Sequence, residues 1–116
     1  MCESFEQLQQ NLIKFTEERD WSQFHSPKNL AMALSVEVSE LMEPFQWLTE
    51  EQSFNLNDDK LQAVSEEIAD VQLYLIQLAS KLNIDILKAC ELKMIKNAEK
   101  YPVNQSKGCA KKYNEF

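Results

Sequence analysis

This chain has one glycine in 116 residues, Gly108, and it lies near the C-terminal end. Tight two-residue β-hairpins lean on glycine for positive φ, so a sheet built from hairpins is disfavoured. Walker loops and GxGxxG fingerprints need several glycines to bring backbone close to phosphate, and both are excluded. The remaining solution is helical, and any bound phosphate must be held by side chains and metal. The length gives one domain with room for a core. Apolar content of 44% with 27% charged residues is ordinary for a soluble globular chain.

Periodicity predicts the elements. Ser4 with Gln7 has the capping-box pattern, and Phe5, Leu8, Leu12, Ile13 and Phe15 follow at helical spacing. That first helix should run to about Arg19. Residues 20–26 read as a loop holding Trp21, Phe24 and His25. Ser26-Pro27 supplies an N-cap and a proline at the first helical position. From Leu30 to Met42 only Ser35, Glu37, Ser39 and Glu40 are not apolar, a pattern that predicts burial on all sides. Pro44 kinks or ends this helix, and the polar stretch 49–59 reads as a loop.

A third helix is expected from Asn57 or Asp58. Leu61, Val64, Ile68, Val71, Leu75, Leu78 and Leu82 alternate by three and four as a packing seam. Glu67, Asp70 and Tyr74 form a stripe beside it, placed to border a pocket between helices. Residues 83–85 break the pattern, and Asp85 is positioned to cap a fourth helix ending at Pro102. Lys93, Asn97 and Lys100 share one of its faces, next to Tyr101. The expected fold is all-α, an antiparallel bundle of four to five helices over residues 1–102. Residues 103–116 are expected to form a basic tail with little pattern.

Two acidic pairs carry the chemistry: Glu37-x-x-Glu40 and Glu67-x-x-Asp70. Residues three apart on a helix lie roughly 60° apart around its axis, so each pair can aim two carboxylates at one point. Four converging carboxylates are costly without a cation among them. All-oxygen ligation suits Mg²⁺, with Mn²⁺ as a substitute. The bland alternative is a solvated acidic face, and for Glu67 and Asp70 alone it would prevail. It is weaker for Glu37 and Glu40, whose helix has little polar face to solvate. Glu43 and Glu66 read as ordinary surface acids.

Other signals bound the function. A net charge of −7 argues against binding a nucleic-acid polymer. His25 is the only histidine, which excludes di-iron ExxH pairs and multi-histidine zinc sites. Nothing marks a serine nucleophile. Trp21, Trp47 and Tyr74 are core residues by default, and a stacked nucleobase is the functional alternative, at about 1–3 kcal/mol per base. Lys93, Asn97 and Lys100 can reach phosphate oxygens, although a basic stripe on an acidic protein also serves salt bridges. Cys2, Cys90 and Cys109 lack CxxC spacing and read as reduced thiols of a cytoplasmic protein. No apolar run is long enough to cross a membrane, and no signal peptide precedes the first helix.

Taken in order, these residues resemble the MazG-like nucleotide pyrophosphohydrolases. The first half carries Arg19-Asp20-Trp21, Phe24-His25-x-Pro27-x-Asn29-Leu30, Ala33-Leu34-x-x-Glu37-Val38-x-Glu40-Leu41 and Phe45-Gln46-Trp47. Glu67-Ile68-x-Asp70-Val71-x-x-Tyr74-Leu75 is similar to the family's second acidic motif. Lys93, Asn97, Lys100-Tyr101-Pro102 and Lys112-Tyr113 fit as well. The resemblance spans nearly the whole chain and is closest to the short, single-domain branch that includes dCTP pyrophosphatases.

The resemblance implies Mg²⁺-dependent hydrolysis of a (deoxy)nucleoside triphosphate to the monophosphate and pyrophosphate, in nucleotide-pool sanitation. Glu37, Glu40, Glu67 and Asp70 would be the catalytic metal ligands. Trp21, His25, Trp47 and Tyr74 would lie around the base and sugar, Lys93 and Asn97 would face the triphosphate together with Lys100 or the basic tail, and Asn29 and Tyr101 would also bind substrate. It also implies a homodimer or homotetramer and a pyrimidine substrate such as dCTP. Two rivals stand beside it. One is a non-catalytic helical module that binds metal without turnover, lowered by the lack of an EF-hand loop. The other is a phosphatase releasing single phosphates, lowered by the lack of a His-Asp pair or a cysteine nucleophile motif.

Overall fold

The computed structural model describes residues 2–116. Six α-helices follow one another: α1 Phe5–Glu18, α2 Pro27–Met42, α3 Glu50–Ser53, α4 Asp58–Lys81, α5 Ile86–Lys100 and α6 Val103–Ser106. Two 3-10 turns, Ser22–Phe24 and Tyr113–Glu115, complete the order. Among the described residues there is no strand, and no helix is long and apolar enough to cross a membrane.

Capping fixes the helix starts. The side chains of Ser4, Ser26, Asn57 and Asp85 each accept a hydrogen bond from the third helical N–H, satisfying a donor that the helix leaves free. Scarcity of glycine shows at the helix ends. Just past the C-caps of α1 and α4 stands a residue with positive φ, Asp20 at 52° and Asn83 at 56°. Short Asx side chains tolerate that left-handed position where glycine usually stands.

By contacts the chain divides into two compact units, the first ending at Asn83 and the second spanning Ile84–Phe116. In the first, α4 packs chiefly against α2 and over a shorter stretch against α1. The core is small: Leu30 is 1% exposed and Ile76 0%, with Val64 and Ala79 also buried. In the second, Tyr101 meets the rings of Tyr113 and Phe116 edge-on at 6.1 and 5.9 Å. The Lys100 ammonium sits 4.8 Å from the Tyr113 ring centre.

Four expectations need correction. The stretch 49–59 is not all loop. It contains α3, closed by a reciprocal box in which Thr49 and Gln52 each bond the other's backbone N–H. The tail holds α6 and a 3-10 turn, because its aromatic residues pack on Tyr101. α2 is not buried on all sides, since Met32, Val36, Val38 and Met42 are exposed. The α4 seam splits into two rows. Val64 is buried and Val71 and Leu78 half-buried, whereas Leu61, Ile68, Leu75 and Leu82 are exposed. One cause serves both helices: a single chain gives each a cover on one side, and alternating threes and fours spread apolar residues over more than one side.

Candidate active site

Packing of α2 on α4 brings the acidic pairs together. Glu37, Glu67 and Asp70 each place a carboxylate oxygen within 4.8 Å of the others. Glu40 lies outside that closest set, yet its charge acts on both Glu37 and Glu67. Burial first, then the neighbouring carboxyls of Glu40, Asp70 and Glu67, pushes Glu37 up from 4.5 to about 7. Burial and the Glu40 charge raise Glu67 as well. Among the described residues the salt bridges are Lys14–Glu18 and Arg19–Glu18, so none neutralises the cluster.

Oε2 of Glu37 and Oε2 of Glu67 are shut off from solvent without a hydrogen-bond partner in the protein. Carboxylate oxygens left in that state are expensive unless a cation or proton meets them. The donor set is all oxygen and therefore fits a hard divalent ion.

Beside the cluster lies a cavity of about 300 Å³. Asp70 and Tyr74 of α4 line one wall, Phe15 and Thr16 of α1 another, and Trp21 and His25 a third. A second cavity of about 200 Å³ shares Leu12, Thr16, His25 and Gln77 with the first and extends to Ser22 and Lys81.

The loop bearing Trp21 and His25 is fastened at several points. The Trp21 N–H donates to Thr16 O at 3.0 Å, and Asn29 Nδ2 donates to Phe24 O at 3.0 Å. Lys81 Nζ donates to Ser22 Oγ at 2.7 Å, tying the loop to the last turn of α4. The Trp21 ring rests edge-on against Phe15 at 5.7 Å, and Arg19 covers the Phe15 face at 3.7 Å. Trp21 is therefore held in place while 43% of it stays exposed.

The structure thus gathers Trp21, His25, Asp70 and Tyr74 around one cavity. Trp47 stands apart, 87% exposed in the turn after α2. Asn29 is engaged with the loop backbone. Lys93, Asn97 and Lys100 lie along α5 in the second unit, and Tyr101 caps that helix. Gln77 and Lys81 were not singled out from the sequence. A signal existed, because the stripe of Glu67, Asp70 and Tyr74 continues by three and then four residues to both of them.

Fold and site together define a helical protein in which carboxylates from two helices converge beside a cavity with aromatic walls. The profile of the MazG-like family matches residues 32–116, and the chain belongs to that family. It is 39% identical over 117 residues to dCTP pyrophosphatase 1 of Bos taurus, covering 97% of this chain and 68% of that protein. It is 37% identical over 115 residues to dCTP pyrophosphatase 1 of Homo sapiens, with the same coverage. A crystal structure of a pyrophosphatase from Archaeoglobus fulgidus superposes with a TM-score of 0.82 at 40% identity, covering 88% of this chain and 95% of that one.

Proposed function

We propose that this chain is a nucleoside triphosphate pyrophosphohydrolase that converts dCTP to dCMP and pyrophosphate. The observation that carries the reading is the convergence of Glu37, Glu67 and Asp70 next to the cavity, in a chain so similar to dCTP pyrophosphatases. Glu37, Glu40, Glu67 and Asp70 would hold Mg²⁺, with Mn²⁺ as a substitute. When bound, the ion neutralises phosphate oxygens and makes phosphorus more electrophilic.

The chain's own groups do the rest. One carboxylate must stay free enough of the metal to accept the proton of the attacking water, and a glutamate among Glu37, Glu40 and Glu67 takes that role. Oriented by the acidic cluster, the water approaches phosphorus in line with the departing oxygen. Trp21 and Tyr74 flank the base, and His25 closes the cavity between them. Asn29, held on the Phe24 carbonyl, positions that loop. Trp47 supplies further aromatic surface for the base. Lys93, Asn97, Lys100 and Tyr101 serve the triphosphate.

Assembly as a homodimer or homotetramer gives the exposed apolar rows of α2 and α4 a cover. The family-like helical domain is read as residues 1–102, and 103–116 as a basic tail whose Tyr113 and Phe116 pack on Tyr101. A net charge of −7 suits a small metal-bearing anion and not a nucleic-acid polymer. A role in the cytoplasmic nucleotide pool, without a membrane partner, follows from the same substrate.

The test is a panel of deoxynucleoside triphosphates with Mg²⁺, scored separately for pyrophosphate and for orthophosphate. Pyrophosphate release led by dCTP is expected. Metal binding without turnover of any nucleotide would replace the enzyme with a non-catalytic binding module.

A further inference from the structure

The turn that ends α1 carries a full set of helix-closing bonds, and its partners are wall residues of the larger cavity. Arg19 is the C-cap, and Asp20 follows it at a φ of 52°. The Asp20 N–H donates to Glu17 O at 3.0 Å, and the Trp21 N–H reaches back to Thr16 O at 3.0 Å. This pair of bonds closes a helix when the residue after the cap is left-handed. The apolar contact that accompanies such a closure is here the Trp21 ring, set edge-on against Phe15. Phe15, Thr16 and Trp21 all line the cavity, whereas Asp20 does not.

Glycine takes this backbone position without steric cost, so a carboxylate here needs a separate reason. Gln23 supplies one, because its Nε2 donates to both Asp20 Oδ2 and Asp20 O at 3.0 Å. Gln23 lies in the 3-10 turn Ser22–Phe24, directly before His25, another wall residue. We propose that Asp20 is a positioning residue for substrate binding: its left-handed backbone sets Trp21 on the cavity wall, and its carboxylate fastens the turn that leads to His25. Asp20 acts through these two side chains, not by contact with substrate. The inference rests on the reading that the base stacks on Trp21. A platform fixed before the ligand arrives has less freedom to lose on binding, so the effect falls on KM and spares kcat.

The experiment measures kcat and KM for dCTP, with Tm, in the full chain and in Asp20→Gly, Asp20→Asn, Gln23→Met and Trp21→Ala. Anisotropy of Trp21 fluorescence is read in parallel in a Trp47→Phe background, where Trp21 is the remaining tryptophan. Asp20→Gly keeps the left-handed turn and loses the carboxylate. It should raise KM about fivefold and lower the anisotropy, with kcat little changed. Tm should also change little, because relief of the Cβ crowding offsets the lost bond. Gln23→Met leaves Asp20 in place, removes the donor and should shift KM in the same direction. Asp20→Asn keeps an acceptor and tolerates the turn, so it should restore the wild-type KM. Unchanged KM and anisotropy in Asp20→Gly, with KM raised in Trp21→Ala, would overturn the inference and leave the base on Trp21. A fall in kcat without a rise in KM, or an Asp20→Asn variant as impaired as Asp20→Gly, would also overturn it. Unchanged KM in Trp21→Ala would show that the base lies elsewhere, and both readings would fall.

Discussion

Two faces of α4 present opposite defects. One carries Glu67 and Gln77, whose polar oxygens are enclosed without partners. The other carries Leu61, Ile68 and Leu82, apolar side chains at least half exposed. The first face pays a desolvation cost that a ligand relieves. The second leaves apolar area in water that another surface would cover. Both depart from what stability alone would select, and such departures are expected where a chain has work to do. The contrast teaches that incompleteness has a chemical sign. Stranded oxygens call for cations and donors, and stranded carbon calls for more carbon.

The sharpest way to break the contrast is to remove a carboxylate from the polar face. Asp70→Ala should lower Mg²⁺-dependent turnover on the order of a thousandfold. Tm in chelator should hold or rise, since like charges are relieved. Turnover within tenfold of wild type would show that the cluster is not the reaction centre.

Next in size is a charge placed on the apolar face. Leu61 is 56% exposed and far along α4 from the cavities, so Leu61→Glu should leave the fold intact. Self-association measured by sedimentation should weaken about tenfold or more. An unchanged mass distribution would show that this row is not an interface.

Smaller is the effect of loosening the loop that carries Trp21 and His25. Lys81→Met removes the 2.7 Å bond to Ser22 Oγ, and KM for dCTP should rise about threefold with little change in kcat. Lys81→Arg should restore it, and a fall in kcat alone would argue against a positioning role.

Smallest is a pH effect on stability without metal. Glu37 has a folded value of about 7 against 4.5 for the free side chain. Between those values the folded state holds a proton that the unfolded state has released. Stability should therefore fall as pH rises from about 4.5 to about 7 and level off above. Glu67 acts in the same direction. Thermal melts in chelator should show this slope flattened in Glu37→Gln. Mg²⁺ should reverse it, because the ion binds the ionised carboxylates.

Much of this was legible in the residues themselves. Ser26-Pro27, Asn57 and Asp85 mark helix starts, and each side-chain cap bonds the N–H its position requires. These are local contacts within four residues, so sequence is enough to specify them. The pairs Glu37-x-x-Glu40 and Glu67-x-x-Asp70 were legible for the same reason. Harder was the burial of α2 and of the α4 row, because periodicity shows that a face is apolar but not whether anything covers it. α3 was hidden in a polar stretch whose capping box, Thr49 with Gln52, was nonetheless present.

Sequence by itself determined the helical class, the caps and the two acidic pairs, because helix geometry fixes what lies within a turn or two of any residue. Only the tertiary structure decided which carboxylates meet within 4.8 Å, that Trp21 and His25 from one loop face Tyr74, and that Gln77 is left without a donor. Those facts depend on how α1, α2 and α4 settle against one another. That register is set by the fit of many side chains at once, and no single spacing encodes it.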